Sequence, residues 1–170
     1  QHFIDKNGTG VLAYISANSF VDGVTHRQMR KHLLESFDKI YILDLHGNAR
    51  KKEVCPDGSL DQNVFDIMQG VSINLFIKTG NKKTNELGEV FNYDLYGKRD
   101  FKYDFLNQNL KDLKWTKLNF EEPYYFFVPK DLSLDDEYQT WIHIDQLFPV
   151  NVTGIVTMGD DFIITQTHEE

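Results

Sequence analysis

The chain has 170 residues and a mass of 19.9 kDa, 41% apolar and 14% aromatic, which is enough to bury a core and excludes a disordered polymer. The formal net charge of −8 excludes a uniformly basic nucleic-acid binder, yet the charge is uneven: residues 1–60 hold 8 Lys and Arg against 7 Asp and Glu, whereas residues 61–170 hold 10 against 19. One cysteine, Cys55, excludes an intrachain disulfide and fits a reducing compartment, and no apolar run approaches the roughly 20 residues of a membrane-spanning helix.

Gln1–Asn7 running into Gly8 reads as the last turn of a helix with a glycine stop, without an initiator Met or the apolar core of a secretory leader. A piece of a longer protein is the expectation. Gly10–Ser16 is a nearly continuous apolar run, the pattern of a strand buried on both faces. Asn18–Gly23 is rich in turn formers. Thr25 is a candidate N-cap for a helix over His26–Ser36, with Met29, Leu33 and Phe37 at helical spacing. A second strand follows within Asp38–Leu45, so strand, helix and strand form a βαβ unit.

His46–Gln62 is a long polar loop, and such loops inside a compact domain are usually functional. Gly70–Thr79 is a third strand and Glu89–Tyr96 a fourth. The simplest pairing of these two is an antiparallel hairpin across the polar turn Gly80–Gly88. After Gly97 the pattern changes. Lys98–Lys117 has helical signals at Phe101, Phe105, Leu106, Leu110 and Leu113. Trp115–Val128 reads as extended, Pro129–Asp136 as an acidic turn, and Glu137–Phe148 and Asn151–Thr165 as short mixed elements. The domain boundary therefore falls near Gly97, dividing the chain into 1–97 and 98–170.

Few chemical motifs are present. The six histidines lack the i, i+4 zinc spacing, and one cysteine cannot build a Cys-rich zinc site, so no metal site is expected. No nucleophile elbow, Walker loop or glycine-rich dinucleotide loop occurs. Two features stand out in the long loop and just beyond it. Arg50-Lys51-Lys52 is a basic run following a strand, where an open α/β sheet places its ligand crevice, so it can face a phosphate backbone or remain a solvated charge run. Phe65 is an aromatic near the mouth of the same crevice, able to stack on a base or to fill the core.

Several ordered blocks resemble a known family. Gly10–Phe20 and the following His26-Arg27-Gln28-Met29-Arg30 resemble the segment after the catalytic loop in gamma-type N6-adenine DNA methyltransferases. Asp44–Lys52, Asp61–Ile67 and Gly70–Ile73 resemble type ISP and related single-chain restriction-modification enzymes more specifically. So do Asp94–Arg99, Trp115–Leu118, Pro123–Pro129 and the stretch from Phe148-Pro149 to Thr157. Met158-Gly159-Asp160 departs from that pattern, which has Arg in place of Gly159.

The resemblance implies an α/β fold: a partial Rossmann-like methyltransferase sheet, built from the βαβ unit and an antiparallel hairpin, with a mixed α+β extension at the C-terminal end. The strands near 10–16 and 39–45 would run parallel, with the Val71 strand inserted antiparallel between or beside them. It further implies that residues 1–97 are the C-terminal half of a methyltransferase domain, and that 98–170 lead towards target recognition. The parent enzyme would transfer a methyl group from S-adenosylmethionine to the exocyclic amine of adenine in DNA. The family's cofactor loop and its Asn/Asp-Pro-Pro-Tyr loop do not occur in these residues, so no cofactor is expected on this chain and no catalytic group within it. By position Phe65 would stack on the target base, while Asn48, Arg50, Lys51 and Lys52 would contact DNA. DNA is the implied partner, not a membrane, and the implied setting is a prokaryotic cytoplasm. The competing expectation is a free-standing, non-catalytic module binding DNA or a subunit, with self-association through an open sheet edge.

Overall fold

The computed structural model describes residues 2–83, 85–107, 113–131 and 133–150. The chain divides into two compact units, Gln1–Lys130 and Asp131–Glu170. Among the described residues, the first carries every strand. After a short helix α1 (His2–Asn7), Gly8 turns the chain into β1 (Gly10–Ala17). One turn of helix, α2 (Ser19–Asp22), buries Phe20 and Val21 and leads through a 3-10 turn, Val24–His26, into α3 (Arg27–Ser36). Thr25 therefore lies inside the 3-10 turn and does not cap the helix; His26 holds that position, without a side-chain cap. The remaining elements of this unit are β2 (Lys39–Asp44), β3 (Val71–Lys78), β4 (Glu89–Asp94), α4 (Arg99–Leu106) and β5 (Thr116–Leu118).

The strands form one mixed sheet in the order β1-β3-β2-β4-β5. β1 and β2 both pair antiparallel with β3, so they run parallel to each other with β3 inserted between them. Of the two expected placements of this strand, between or beside the others, the first is found, in an α/β fold compatible with a partial Rossmann-like sheet. The expected hairpin of β3 with β4 does not form: β4 pairs parallel with β2. The reason is that both edges of β3 are occupied by β1 and β2. The chain after β3 passes the end of α3, where Lys82 Nζ donates to the carbonyls of Leu34, Glu35 and Phe37, and Gly88 N–H donates to Leu34 O. It then adds to the free edge of β2. These bonds satisfy carbonyls that the last helical turn leaves without partners.

Helix α4 is shorter than its sequence signals, ending at Leu106; Leu110 lies outside the described residues. The extended stretch after Trp115 is reduced to three strand residues in β5, antiparallel to β4.

The sheet registers stack residues into rows whose polarity changes along the strands. Leu12, Phe76, Ile40, Val90 and Leu118 form an apolar row, and Tyr14, Asn74, Ile42, Asn92 and Thr116 a mixed one. Ser16, Ser72, Asp44 and Asp94 form an entirely polar row at the carboxyl ends of β1, β2 and β4. α2 and α3 cover the apolar end, with Leu33, Leu34 and Phe37 in one core with Ile40, Ile42 and Phe76. On the opposite face Phe105 and Leu106 of α4 pack with Leu43, Tyr93 and Trp115. Arg30 of α3 is fully buried and donates to the carbonyls of Phe20, Gly23 and Tyr124, which fastens α2 and the 124–127 segment to α3.

In the second unit the described residues form α5 (Asp135–Gln139) and α6 (Ile144–Leu147), the latter opened by a capping box between His143 and Gln146. The expected elements over Asn151–Thr165, and the departure at Gly159, lie outside the described residues. No helix among the described residues is long and apolar enough to cross a membrane.

Candidate functional site

Asp44 and Asp94 of the polar row line a crevice of 270 Å³ at the carboxyl ends of β2 and β4. Open α/β sheets bind ligands at this end of their parallel strands. Asp44, the last residue of β2, is buried. Its Oδ1 accepts from Asn18 Nδ2 at 2.9 Å and from the His46 backbone N–H at 2.9 Å. Burial pushes the Asp44 carboxyl up, and the positive charge of His46 and these two bonds only partly offset that.

His46 is the centre of the site. It stands at φ 51°, followed by Gly47 at φ 80°, so two consecutive left-handed residues turn the chain sharply off the end of β2. The turn drives the imidazole between two carboxylates. Nδ1 lies 2.8 Å from Glu53 Oε1, and Nε2 lies 3.0 Å from Asp94 Oδ1. Tyr96 stacks on the ring at 3.8 Å between centroids. Burial alone would lower the pKa of His46. The hydrogen bonds to Asp94 and Glu53 and the charges of Asp44 and Glu53 outweigh it and carry the group up to about 9. The Tyr96 hydroxyl, half-buried beside Asp94, Glu53 and Asp44, is pushed up to about 12.

Asp44, His46 and Asp94 bring one ligand-type atom each within 4.8 Å. Both imidazole nitrogens, however, already face carboxylate oxygens at hydrogen-bond distance, the arrangement of a protonated ring. A metal-bound histidine needs a nitrogen lone pair free for the ion.

The loop from Leu45 to Gly70 is pinned at a second point. Asp61 is buried and accepts from Gly47 N–H at 2.6 Å and Gly97 N–H at 2.8 Å. Its Oδ1 lies 2.7 Å from Lys102 Nζ, with both side chains fully buried. Lys102 also donates to Leu45 O and Gln62 O. Arg99 Nε donates to Asn63 O, Arg99 Nη2 to Phe65 O, and the Tyr103 hydroxyl to Val64 O. One face of α4 thus holds residues 61–65 by side chain to backbone bonds.

Between these anchors the predicted residues fall as follows. Asn48 is half-buried; its N–H donates to Glu53 Oε2 at 2.9 Å and its Oδ1 accepts from Lys51 N–H. Arg50, Lys51 and Lys52 are exposed on the tight turn this creates, with Lys52 at φ 51° and Lys51 Nζ 3.8 Å from Asp22. Asn48 and Lys51 line the crevice; Arg50, Lys52 and Phe65 do not. Phe65 is 41% exposed on the second half of the loop, its N–H bonded to Asn63 Oδ1. Ile67 and Met68 beside it are also exposed. The two halves meet where Arg50 N–H approaches Met68 O.

Sequence reasoning did not single out Asp44, His46, Glu53, Asp94 or Tyr96. The partners of His46 lie 7 and 48 residues away, so no local spacing displays the cluster. The available signal was Asp44 at a strand end, two residues before a His-Gly pair at the start of a long loop.

No protein-family model matches the chain, and no curated protein matches it in sequence. Solved structures do. The chain is similar to the ATP-dependent Type ISP restriction-modification enzyme LlaBIII bound to DNA, with 29% identity over 75% of this chain and a TM-score of 0.63. It shares its fold with a nuclease-deletion mutant of the Type ISP restriction-modification enzyme LlaGI in complex with a DNA substrate mimic, at 21% identity over 76% of this chain and a TM-score of 0.60. It likewise shares its fold with DrdV in a DNA complex, at 23% identity over 68% of this chain and a TM-score of 0.57. The matched part spans 9–11% of the length of those chains.

Proposed function

We propose that this chain is the DNA-facing part of an adenine N6-methyltransferase domain within a restriction-modification enzyme. The carrying observation is that a rigid loop at the carboxyl end of the sheet displays three exposed cations on one half and an exposed aromatic, Phe65, on the other. The likeness to LlaBIII, itself a restriction-modification enzyme bound to DNA, supports this reading.

The target amine of adenine lies inside the base stack, so the base must leave the duplex to be methylated. Arg50, Lys51 and Lys52 would hold the backbone through phosphates, which positions DNA without reading sequence. Phe65 would stack on the extruded base, an interaction of about 1–3 kcal/mol. S-adenosylmethionine supplies the methyl group. No step through the cofactor is assigned to this chain.

The test is DNA affinity against salt for the chain and for its Arg50→Gln/Lys51→Gln/Lys52→Gln variant. Affinity should fall on every sequence, and the slope of log K against log salt should flatten by about 3, near one per lost phosphate contact. An unchanged slope refutes the reading.

A further inference from the structure

We infer that His46 is the positioning residue of the basic turn: its protonated ring bridges Asp94 at the end of β4 to Glu53, and Glu53 in turn holds the turn that presents Arg50, Lys51 and Lys52. The inference rests on the reading of that turn as the DNA-contacting element.

The geometry is a relay. Asp94 belongs to the sheet and is fixed by it. His46 Nε2 is 3.0 Å from Asp94, and Nδ1 is 2.8 Å from Glu53 Oε1. The other oxygen of Glu53 accepts the Asn48 N–H at 2.9 Å, and Glu53 N–H donates to Asn48 O at 3.1 Å. Asn48 Oδ1 accepts the Lys51 N–H at 3.1 Å. One path from the sheet to the basic turn therefore runs through one imidazole and one carboxylate, beside the Asp61 bond to Gly47 N–H and the Arg50 N–H contact with Met68 O. Charge-assisted bonds of this kind are about twice as strong as neutral ones. A neutral imidazole carries one ring proton and can donate to only one of the two carboxylates. Losing the second proton breaks the relay on one side and leaves two acceptors facing each other.

The groups facing the ring are all acidic or phenolic. Asp44 approaches from β2, with its Oδ1 3.9 Å from Nδ1. Asp94 and Tyr96 come from β4 and the residues after it, and Glu53 from the loop. Asp22 of α2 also lines the crevice, paired with Lys51, while Asp61 is paired with Lys102. Lys51 also lines the crevice and acts on Glu53 by its charge, but among the described contacts no cation other than His46 is bonded to Asp94 or Glu53. That environment holds the ring protonated through neutrality and releases it near pH 9.

The experiment measures two quantities from pH 6 to 10 at fixed ionic strength: DNA affinity, and hydrogen exchange of the Asn48 amide, for the wild-type chain and for His46→Gln. Wild-type affinity should fall about tenfold through pH 9, with Asn48 protection falling in parallel; a tenfold change corresponds to one lost bond of about 1.4 kcal/mol. His46→Gln should be about tenfold weaker already at pH 7 and show no step of its own near pH 9. Any fall that the two proteins share does not come from His46. A wild-type affinity and Asn48 protection that are both flat through pH 9 overturn the inference, as does a His46→Gln protein that matches wild type at pH 7. If neutralising the three cations leaves DNA binding unchanged, the functional reading fails. Asn48 protection then still decides the relay by itself, because it needs no DNA.

Discussion

Replacing Lys102 by Met tests how the site loop is held. The Nζ of Lys102 makes three short contacts, to Asp61 Oδ1 at 2.7 Å, Leu45 O at 2.6 Å and Gln62 O at 2.7 Å, and both charged side chains are fully buried. Methionine keeps most of the volume and removes the cation. Asp61 then remains a buried carboxylate with only the Gly47 and Gly97 N–H groups as donors, and two carbonyls lose their partner. Breaking a buried pair on one side costs about 3–5 kcal/mol. The two backbone donors that still solvate Asp61 place the expectation at the lower end, about 3 kcal/mol. With a urea m-value of about 2 kcal/mol/M, the denaturation midpoint should drop by about 1.5 M. The transition can be followed by circular dichroism. The double variant Lys102→Met/Asp61→Asn removes the stranded charge and keeps an acceptor for one backbone N–H, so it should recover at least about 1 kcal/mol of that loss. A single variant that loses less than about 1 kcal/mol, or a double variant worse than the single one, would refute the view that this pair clamps the loop.

Two further outcomes follow from the geometry around His46. Gly47 and Gly58 both adopt left-handed backbone, at φ 80° and 82°, but a Cβ on Gly47 would overlap the Asn63 backbone while one on Gly58 would meet open space. Gly58→Ala should therefore cost about 1–2 kcal/mol in a urea titration, and Gly47→Ala clearly more; equal costs would show that the 47–63 approach is loose. Folding stability should also depend on His46 with a definite sign. Its pKa rises from 6.5 unfolded to about 9 folded, so its contribution is fully present below pH 6.5 and disappears as pH climbs through 9. The difference in unfolding free energy between wild type and His46→Gln should shrink by up to about 3 kcal/mol over that window. A difference that grows with pH would contradict the carboxylate clamp.

The sequence carried the elements better than their partners. The strands of the βαβ unit were legible because Gly10–Ser16 and Lys39–Leu43 are mostly apolar, whereas the antiparallel placement of the Val71 strand came from the family resemblance. The pairing of β4 was not legible, because a polar nine-residue turn from Gly80 to Gly88 looks like a hairpin loop. What decides the matter is that β3 has no free edge, a property of the whole sheet. Helix α4 shows the same limit in another form. Phe101 fits the apolar spacing yet is 54% exposed, while Lys102, which that spacing would leave in solvent, is fully buried against Asp61. A charge run and a buried ion pair read alike until the partner, 41 residues away, is in place. The site loop was visible as a long polar segment with a basic run. His46 was not, since its carboxylate partners come from separate parts of the chain.

The row of Ser16, Ser72, Asp44 and Asp94 gives the sheet a polar end, and its two carboxylates help make the crevice beside it acidic. Asp44, Glu53 and Asp94 face one imidazolium, so the crevice keeps a net negative charge. Phosphates are repelled from such a crevice and attracted to its rim, where Arg50, Lys51 and Lys52 stand exposed. On the proposed reading this division keeps the DNA backbone outside the crevice, because a strand that slid inward would meet like charge. The same acidity explains why the basic turn needs a fixed tether. Exposed lysines next to three carboxylates would otherwise fold back onto them, as Lys51 does partway towards Asp22, and be withdrawn from solvent. By bonding to Glu53 and Asp94, His46 engages two of those competing partners.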